Sequence, residues 1–117
     1  MDATIVDRLA SLELRSAEQP AYDRPFELRL LYEDPASGAE HYLVRYPPGL
    51  RGKRHRHTAA HTIVVLEGAM RANGRTVGPG SYCRFPAGEP MLHESAGESC
   101  LFVILFDGPF DLEVLED

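Results

Sequence analysis

The sequence predicts an all-β domain, an antiparallel β-barrel or sandwich, and three observations carry that expectation. Short runs of alternating or β-branched residues recur along the chain at regular spacing. Turn chemistry separates them, drawn from nine prolines and ten glycines. A chain of 117 residues suits one domain with one core, which buries about two thirds of the surface its unfolded form exposes.

The elements follow in chain order. Residues 1–25 read as an N-terminal arm or short helix. Ile5, Leu9 and Leu12 are spaced for one helical face behind Asp2 as a cap, and the alternative is an arm that pairs with another subunit. Residues 26–117 read as the β-barrel domain. Phe26 to Tyr32 alternates apolar and charged side chains, and Glu40 to Tyr46 does so more loosely, so both predict half-buried strands. The stretch Asp34 to Gly38 supplies proline and glycine for the connection between them, and Pro47-Pro48-Gly49 supplies the next turn. Thr62 to Leu66 is a β-branched run with the character of a buried strand. Asn73-Gly74 is the strongest hairpin signal, separating Ala69 to Ala72 from Arg75 to Val77. After Gly78-Pro-Gly80 comes a short strand around Cys83, then a Pro86-Ala-Gly88 turn, then an extended stretch opened by His93. Leu101 to Phe106 is continuously apolar, too short to cross a bilayer and right for a strand packed on both faces.

Composition narrows the functional classes. At 44% apolar residues the chain is globular rather than disordered. A net charge of −6 argues against general nucleic-acid binding, which draws on cationic neutralisation of phosphates. The first residues lack the basic start and long apolar core of a secretory signal and no segment spans a bilayer, so the expectation is a cytoplasmic protein without membrane attachment. Cys83 and Cys100 show no Cys-x-x-Cys pattern and read as reduced core thiols, the alternative being a further ligand or redox-sensitive thiol.

The chemistry concentrates between Gly49 and Gly68, where three of the five histidines fall within seven positions. On a strand, His55 and His57 leave the same face about 6–7 Å apart, while Arg54 and Arg56 leave the other. Thr58, Ala59 and Ala60 are small enough for a tight bend, which returns His61 to the same point. Read alone, the segment is equally a basic, solvated turn in which Arg51, Lys53, Arg54 and Arg56 face water and the histidines are incidental. A second segment, Gly80 to His93, brings a fourth imidazole after a Pro-x-Gly turn. His41 stands outside both segments and reads as a packing or surface residue.

These two segments resemble the paired motifs of the cupin superfamily. Gly49, His55, His57 and Gly68 fall on the first motif without gaps, and His61 stands where that family usually has glutamate. Gly80, Pro86, Gly88 and His93 follow the second, with four residues instead of two before the histidine and Gly97 in place of the usual asparagine. The resemblance implies a small antiparallel barrel or jelly roll, a divalent transition metal (iron, nickel, zinc or manganese), and His55, His57, His61 and His93 as its ligands. It also implies a homodimer, since small barrels with exposed edges associate.

Several functions fit that ligand set. Four neutral imidazoles leave positions for substrate on an ion that tolerates five or six ligands, so a dioxygenase acting on a small, partly hydrophobic diketone or enediol is the leading expectation. Zinc in the same place suits a Lewis-acid isomerase or cyclase. Related cupin domains also serve as sensory or effector-binding modules, including the zinc-bearing part of anti-sigma factors; the absence of an attached helical or DNA-binding segment favours a stand-alone enzyme. Ile63 and Val65 share the face of His61, and Met91 that of His93, so these three are expected to line an apolar substrate pocket. No carboxylate in the motifs is placed as a base, leaving Glu67 and Glu94 as the ones to test.

Overall fold

A computed structural model describes residues 2–115; Met1 at the start of the expected arm and residues 116 and 117 at the end of the expected barrel domain lie outside the described residues. Among the described residues nine strands run β1 (Arg15–Ala17), β2 (Phe26–Glu33), β3 (Glu40–Tyr46), β4 (His55–Arg56), β5 (His61–Ala72), β6 (Arg75–Val77), β7 (Tyr82–Phe85), β8 (His93–Phe106) and β9 (Glu113–Val114). All pairings among them are antiparallel. One sheet has the order β1-β2-β3-β8-β5-β6, with β7 also on β5, and β4 and β9 form a small second sheet. This is the all-β jelly-roll architecture expected from the sequence.

Register decides what the sheet encloses. Directly paired residues share a face, so Val44, Phe102 and Val65 form one inward row across β3, β8 and β5, and Tyr42, Ile104 and Ile63 form the next. The row beyond ends in Phe106 paired with His61. Phe102, Ile63 and Val65 are fully buried, and the apolar core is built on these rows.

Runs read separately in the sequence join into longer strands. The runs before and after Gly68 belong to one strand, β5, and the stretch from His93 is continuous with Leu101 to Phe106 in β8. Register shifts between Val65 and Glu67 and between Gly68 and Met70 absorb extra residues as bulges, which curve a long strand around the core without ending it. Gly68 itself has φ +78°, and a Cβ there would stand 1.8 Å from the backbone oxygen of Ser99 on β8.

The N-terminal segment departs from the helical expectation. It contains one 3-10 turn, Leu9–Ser11, and Ile5 is exposed. Leu9 and Leu12 are only half-buried, and a short helix is not stable without a surface that buries its apolar face. From Arg15 the chain joins the sheet through β1, ahead of Phe26, and Ala21 is buried.

Candidate metal centre

Three segments deliver the four histidines. His55 is anchored by reciprocal backbone hydrogen bonds between β4 and Met91, at 3.0 and 2.8 Å, just before His93 opens β8. The bend over residues 58–60 then turns the chain into β5, whose first residue is His61. His55, His57, His61 and His93 are all buried.

Their rings form a closed circuit. Centroids are 5.0 Å apart for His55 and His57, 4.9 Å for His57 and His61, 5.4 Å for His61 and His93, and 6.0 Å for His93 and His55. Imidazoles bonded to a common ion at about 2.1 Å would have centroids ~4.6 Å apart at right angles and ~5.3 Å apart at tetrahedral angles. The observed circuit lies close to this range. Among the described residues no group of three or more His, Cys, Asp or Glu has the geometry to hold a metal ion as it stands, so an ion held by these rings would require them to move.

Hydrogen bonding determines which nitrogens are free. His55 Nδ1–H donates to the carbonyl of Lys53 at 2.8 Å, and His57 Nδ1–H donates to the carbonyl of Asp111. Because a carbonyl only accepts, both rings carry the proton on Nδ1 and present the Nε2 lone pair. His93 is oriented by a loop of phenols. Its Nδ1–H donates to Tyr46 Oη at 2.9 Å, Tyr46 O–H donates to Tyr22 Oη at 3.0 Å, and Tyr22 O–H returns to the carbonyl of His93 at 2.7 Å. Every donor in that loop has an acceptor. By contrast Nε2 of His57 and His93 and both nitrogens of His61 are buried without any partner. An unpartnered buried polar atom costs about 1–3 kcal/mol, so several on neighbouring rings have the chemistry of a cation's donor set.

Electrostatics agree with neutral rings. Burial lowers the pKa of all four histidines, with neighbouring imidazoles adding to the effect for His55, His61 and His93. His61 falls to about 3, and His93 lies well below the ordinary value. A pH dependence follows. Below about 6.5 the unfolded chain takes up protons that these folded rings refuse, so stability is full above that value and falls with decreasing pH. For His61 the fall continues to about 3, with a slope of up to ~1.4 kcal/mol per pH unit. Urea unfolding of metal-free protein should therefore show its midpoint dropping from pH 6.5 towards 4, and less steeply in His61→Gln. A midpoint independent of pH across that window would contradict the burial of neutral rings.

The rings adjoin a cavity of about 190 Å³. His55, His57 and His93 lie on its wall, which is otherwise mainly aromatic: Tyr22, Phe26, Tyr42, Tyr46, Phe102, Phe106 and Phe110. Leu28, Val44, Ile104, Leu112 and Gln19 complete it, and no Asp, Glu, Lys or Arg lines it among the described residues. Ile63, Val65 and Met91 are not on this wall. They are packed into the core at 0%, 0% and 3% exposure, because alternation puts a residue on the inner face without deciding whether that part of the interior is filled or open. The phenol loop, Gln19 and Phe110 escape sequence reasoning because they come from separate segments with no local motif.

Other candidates fall away from the cavity. Glu67 is exposed, and Glu94 is held by the Gly52 N–H at 2.9 Å and by Arg71 and Arg51 at 3.3 and 3.6 Å. His41 packs beside Tyr32 with ring centroids 5.2 Å apart. Cys83 and Cys100 are free thiols whose pKa burial raises, to about 12 for Cys100, the opposite of an activated thiolate.

Solved structures share this fold. The chain is similar to an acetylacetone dioxygenase from Acinetobacter johnsonii, at TM-score 0.79 and 18% identity over 100% of this chain and 81% of the other. It is similar to the polyketide cyclase RemF from Streptomyces resistomycificus, at TM-score 0.76 and 23% identity over 98% and 87%. A cupin-like protein from Thermotoga maritima matches at TM-score 0.75 and 19% identity over 92% and 89%. At such identities the likeness is one of fold. No curated protein matches the chain, and no described helix is long and apolar enough to cross a membrane. The family model for the ChrR cupin-like domain matches residues 15–111, the span that holds both histidine segments and every strand of the large sheet; the chain belongs to that cupin family.

Proposed function

We propose that the chain is a metal-dependent cupin enzyme, an oxygenase acting on a small, partly hydrophobic oxygenated molecule such as a diketone or enediol. His55, His57, His61 and His93 are its metal ligands in this reading. The observation that carries it is the set of unpartnered buried nitrogens on His57, His61 and His93 beside an aromatic cavity. A divalent ion held there supplies Lewis acidity and, if it is iron, redox chemistry towards dioxygen. The protein's own part is positional. Lys53 and Asp111 carbonyls and the Tyr46–Tyr22 loop fix ring orientation and tautomer, and the apolar wall excludes water while leaving a neutral planar substrate free to enter.

The test begins with metal analysis of protein purified without chelator, followed by dioxygen uptake with β-diketones, flavonols and hydroxyacetophenones. Iron-dependent uptake is the expected result. Zinc at full occupancy with no turnover would overturn the oxygenase and favour a sensory module, the second reading, which the match to the ChrR cupin-like family supports. Turnover of a carbonyl substrate on zinc without dioxygen would point to a Lewis-acid isomerase or cyclase.

The phenol loop gives a separate prediction. Tyr46→Phe removes the nearer acceptor for His93 Nδ1–H and leaves Tyr22 Oη at 3.3 Å, so metal affinity should fall about 10–100-fold, as for loss of other groups that orient a ligand. A chelator competition assay measures it; unchanged affinity would mean the loop does not orient His93.

A further inference from the structure

The histidine quartet contains no carboxylate, and the acidic residues in or beside the motifs, Glu67, Glu89 and Glu94, are exposed or engaged elsewhere. A different carboxylate does reach the cavity wall through one phenol. Tyr42 lines the cavity with three of the histidines, and its O–H donates a hydrogen bond to Glu40 Oε1. Glu40 Oε2 accepts the backbone N–H of Phe110 at 3.1 Å, and Phe110 is on the same wall. Both carboxylate oxygens are thus fixed. The β3–β8 register sets Glu40 opposite Phe106 and Tyr42 opposite Ile104, two further wall residues, so the pair sits on the inward face. The protons of Tyr22 and Tyr46 are committed to the loop that closes on His93. Among the described residues, Tyr42 is the one wall phenol hydrogen-bonded to a carboxylate.

Resting on the enzyme reading above, we propose that Tyr42 and Glu40 are the proton-accepting pair of this cavity, acting on substrates with an acidic C–H beside a carbonyl. The substrate C–H bond breaks and its electron pair enters the enolate π system. Its proton joins Tyr42 Oη as the phenol's own proton passes to Glu40 Oε1, so the pair gains one proton and the substrate loses one. No oxidant or reductant is consumed. Burial, with Glu40 adding to it, raises the Tyr42 pKa, which keeps the phenol protonated between turnovers and makes it a relay instead of a standing phenolate.

Zinc-loaded protein in heavy water isolates this step from oxygen chemistry. The probe is ortho-hydroxyacetophenone, and proton NMR follows exchange of its methyl protons. Wild-type protein is expected to accelerate exchange, and Glu40→Gln and Tyr42→Phe each to slow it about 100-fold or more. Zinc content and probe affinity should stay at wild-type values, and added acetate should restore part of the rate in Glu40→Ala, which a purely structural role would not allow. Wild-type exchange rates in either Glu40→Gln or Tyr42→Phe with zinc bound would overturn the pair and leave the metal-centre reading intact. So would a wild-type protein that holds zinc and probe without accelerating exchange. A wild-type protein that takes up no zinc would overturn both.

Discussion

His57→Ala is expected to lower affinity for zinc or iron by more than about 100-fold, beyond the usual effect of losing a group that only orients a ligand. His57 supplies a buried Nε2 with no other partner, between His55 and His61 in the ring circuit. Its removal leaves three imidazoles and opens the site towards Phe110, which packs on the same ring at 5.6 Å. The effect should also appear in stability. An ion that binds only the folded state adds about 2.7 kcal/mol when present at a hundredfold excess over its dissociation constant, so metal should raise the melting temperature of wild-type protein far more than that of the variant. His41→Ala is the control, because His41 on β3 packs beside Tyr32 of β2 and its loss should leave metal binding unchanged. Equal affinity in His57→Ala and wild type would remove His57 from the ligand set.

The second large effect is one of folding. Gly68→Ala is expected to destabilise the protein by about 3–5 kcal/mol, a substantial share of a domain's total stability. Two causes add. The backbone there has φ +78°, a conformation that costs a side-chain-bearing residue about 1–2 kcal/mol. The new Cβ would also sit 1.8 Å from Ser99 O and 2.9 Å from its carbonyl carbon, backbone atoms that cannot move without opening the β5–β8 ladder. Gly74→Ala separates the causes. Its φ is +82° but nothing lies within 4 Å, so only the conformational part applies, about 1 kcal/mol. Urea unfolding of the two variants should differ by at least about 2 kcal/mol; similar losses would mean that close approach to Ser99 does not restrict position 68.

Gly68 also shows what a sequence can and cannot say. Its place at the end of the first histidine motif was visible, but not that the runs on either side of it join, through bulges, into a single twelve-residue strand. Local patterns report propensity; whether a strand ends or bends depends on the partner that pairs across it, here β8. The histidines were legible because their spacing is local: His55 and His57 alternate on one face, and one short bend returns His61. Tyr46 and Tyr22 were not, since their role exists only when β3, the segment before β2 and the start of β8 meet at His93. The same holds for Tyr42 and Glu40. Their i, i+2 spacing on β3 marked a shared face, yet nothing in the sequence identified that face as the wall of the histidine cavity. Ile63, Val65 and Met91 show the converse, since correct inward direction led to packed core instead of open space. In the N-terminal arm, Ile5, Leu9 and Leu12 had helical spacing, but Ile5 is exposed and Leu9 and Leu12 are only half-buried, too little packing to hold a helix.

X-ray absorption at the edge of the bound ion, in protein loaded with one equivalent of zinc, tests the metal centre most directly. The expected spectrum has a coordination shell of nitrogen donors at about 2.0–2.1 Å with the outer-shell scattering of imidazoles, and that imidazole signal weakens in His57→Ala and His93→Ala. A shell dominated by oxygen or sulfur, or an imidazole signal unchanged by both substitutions, would contradict it.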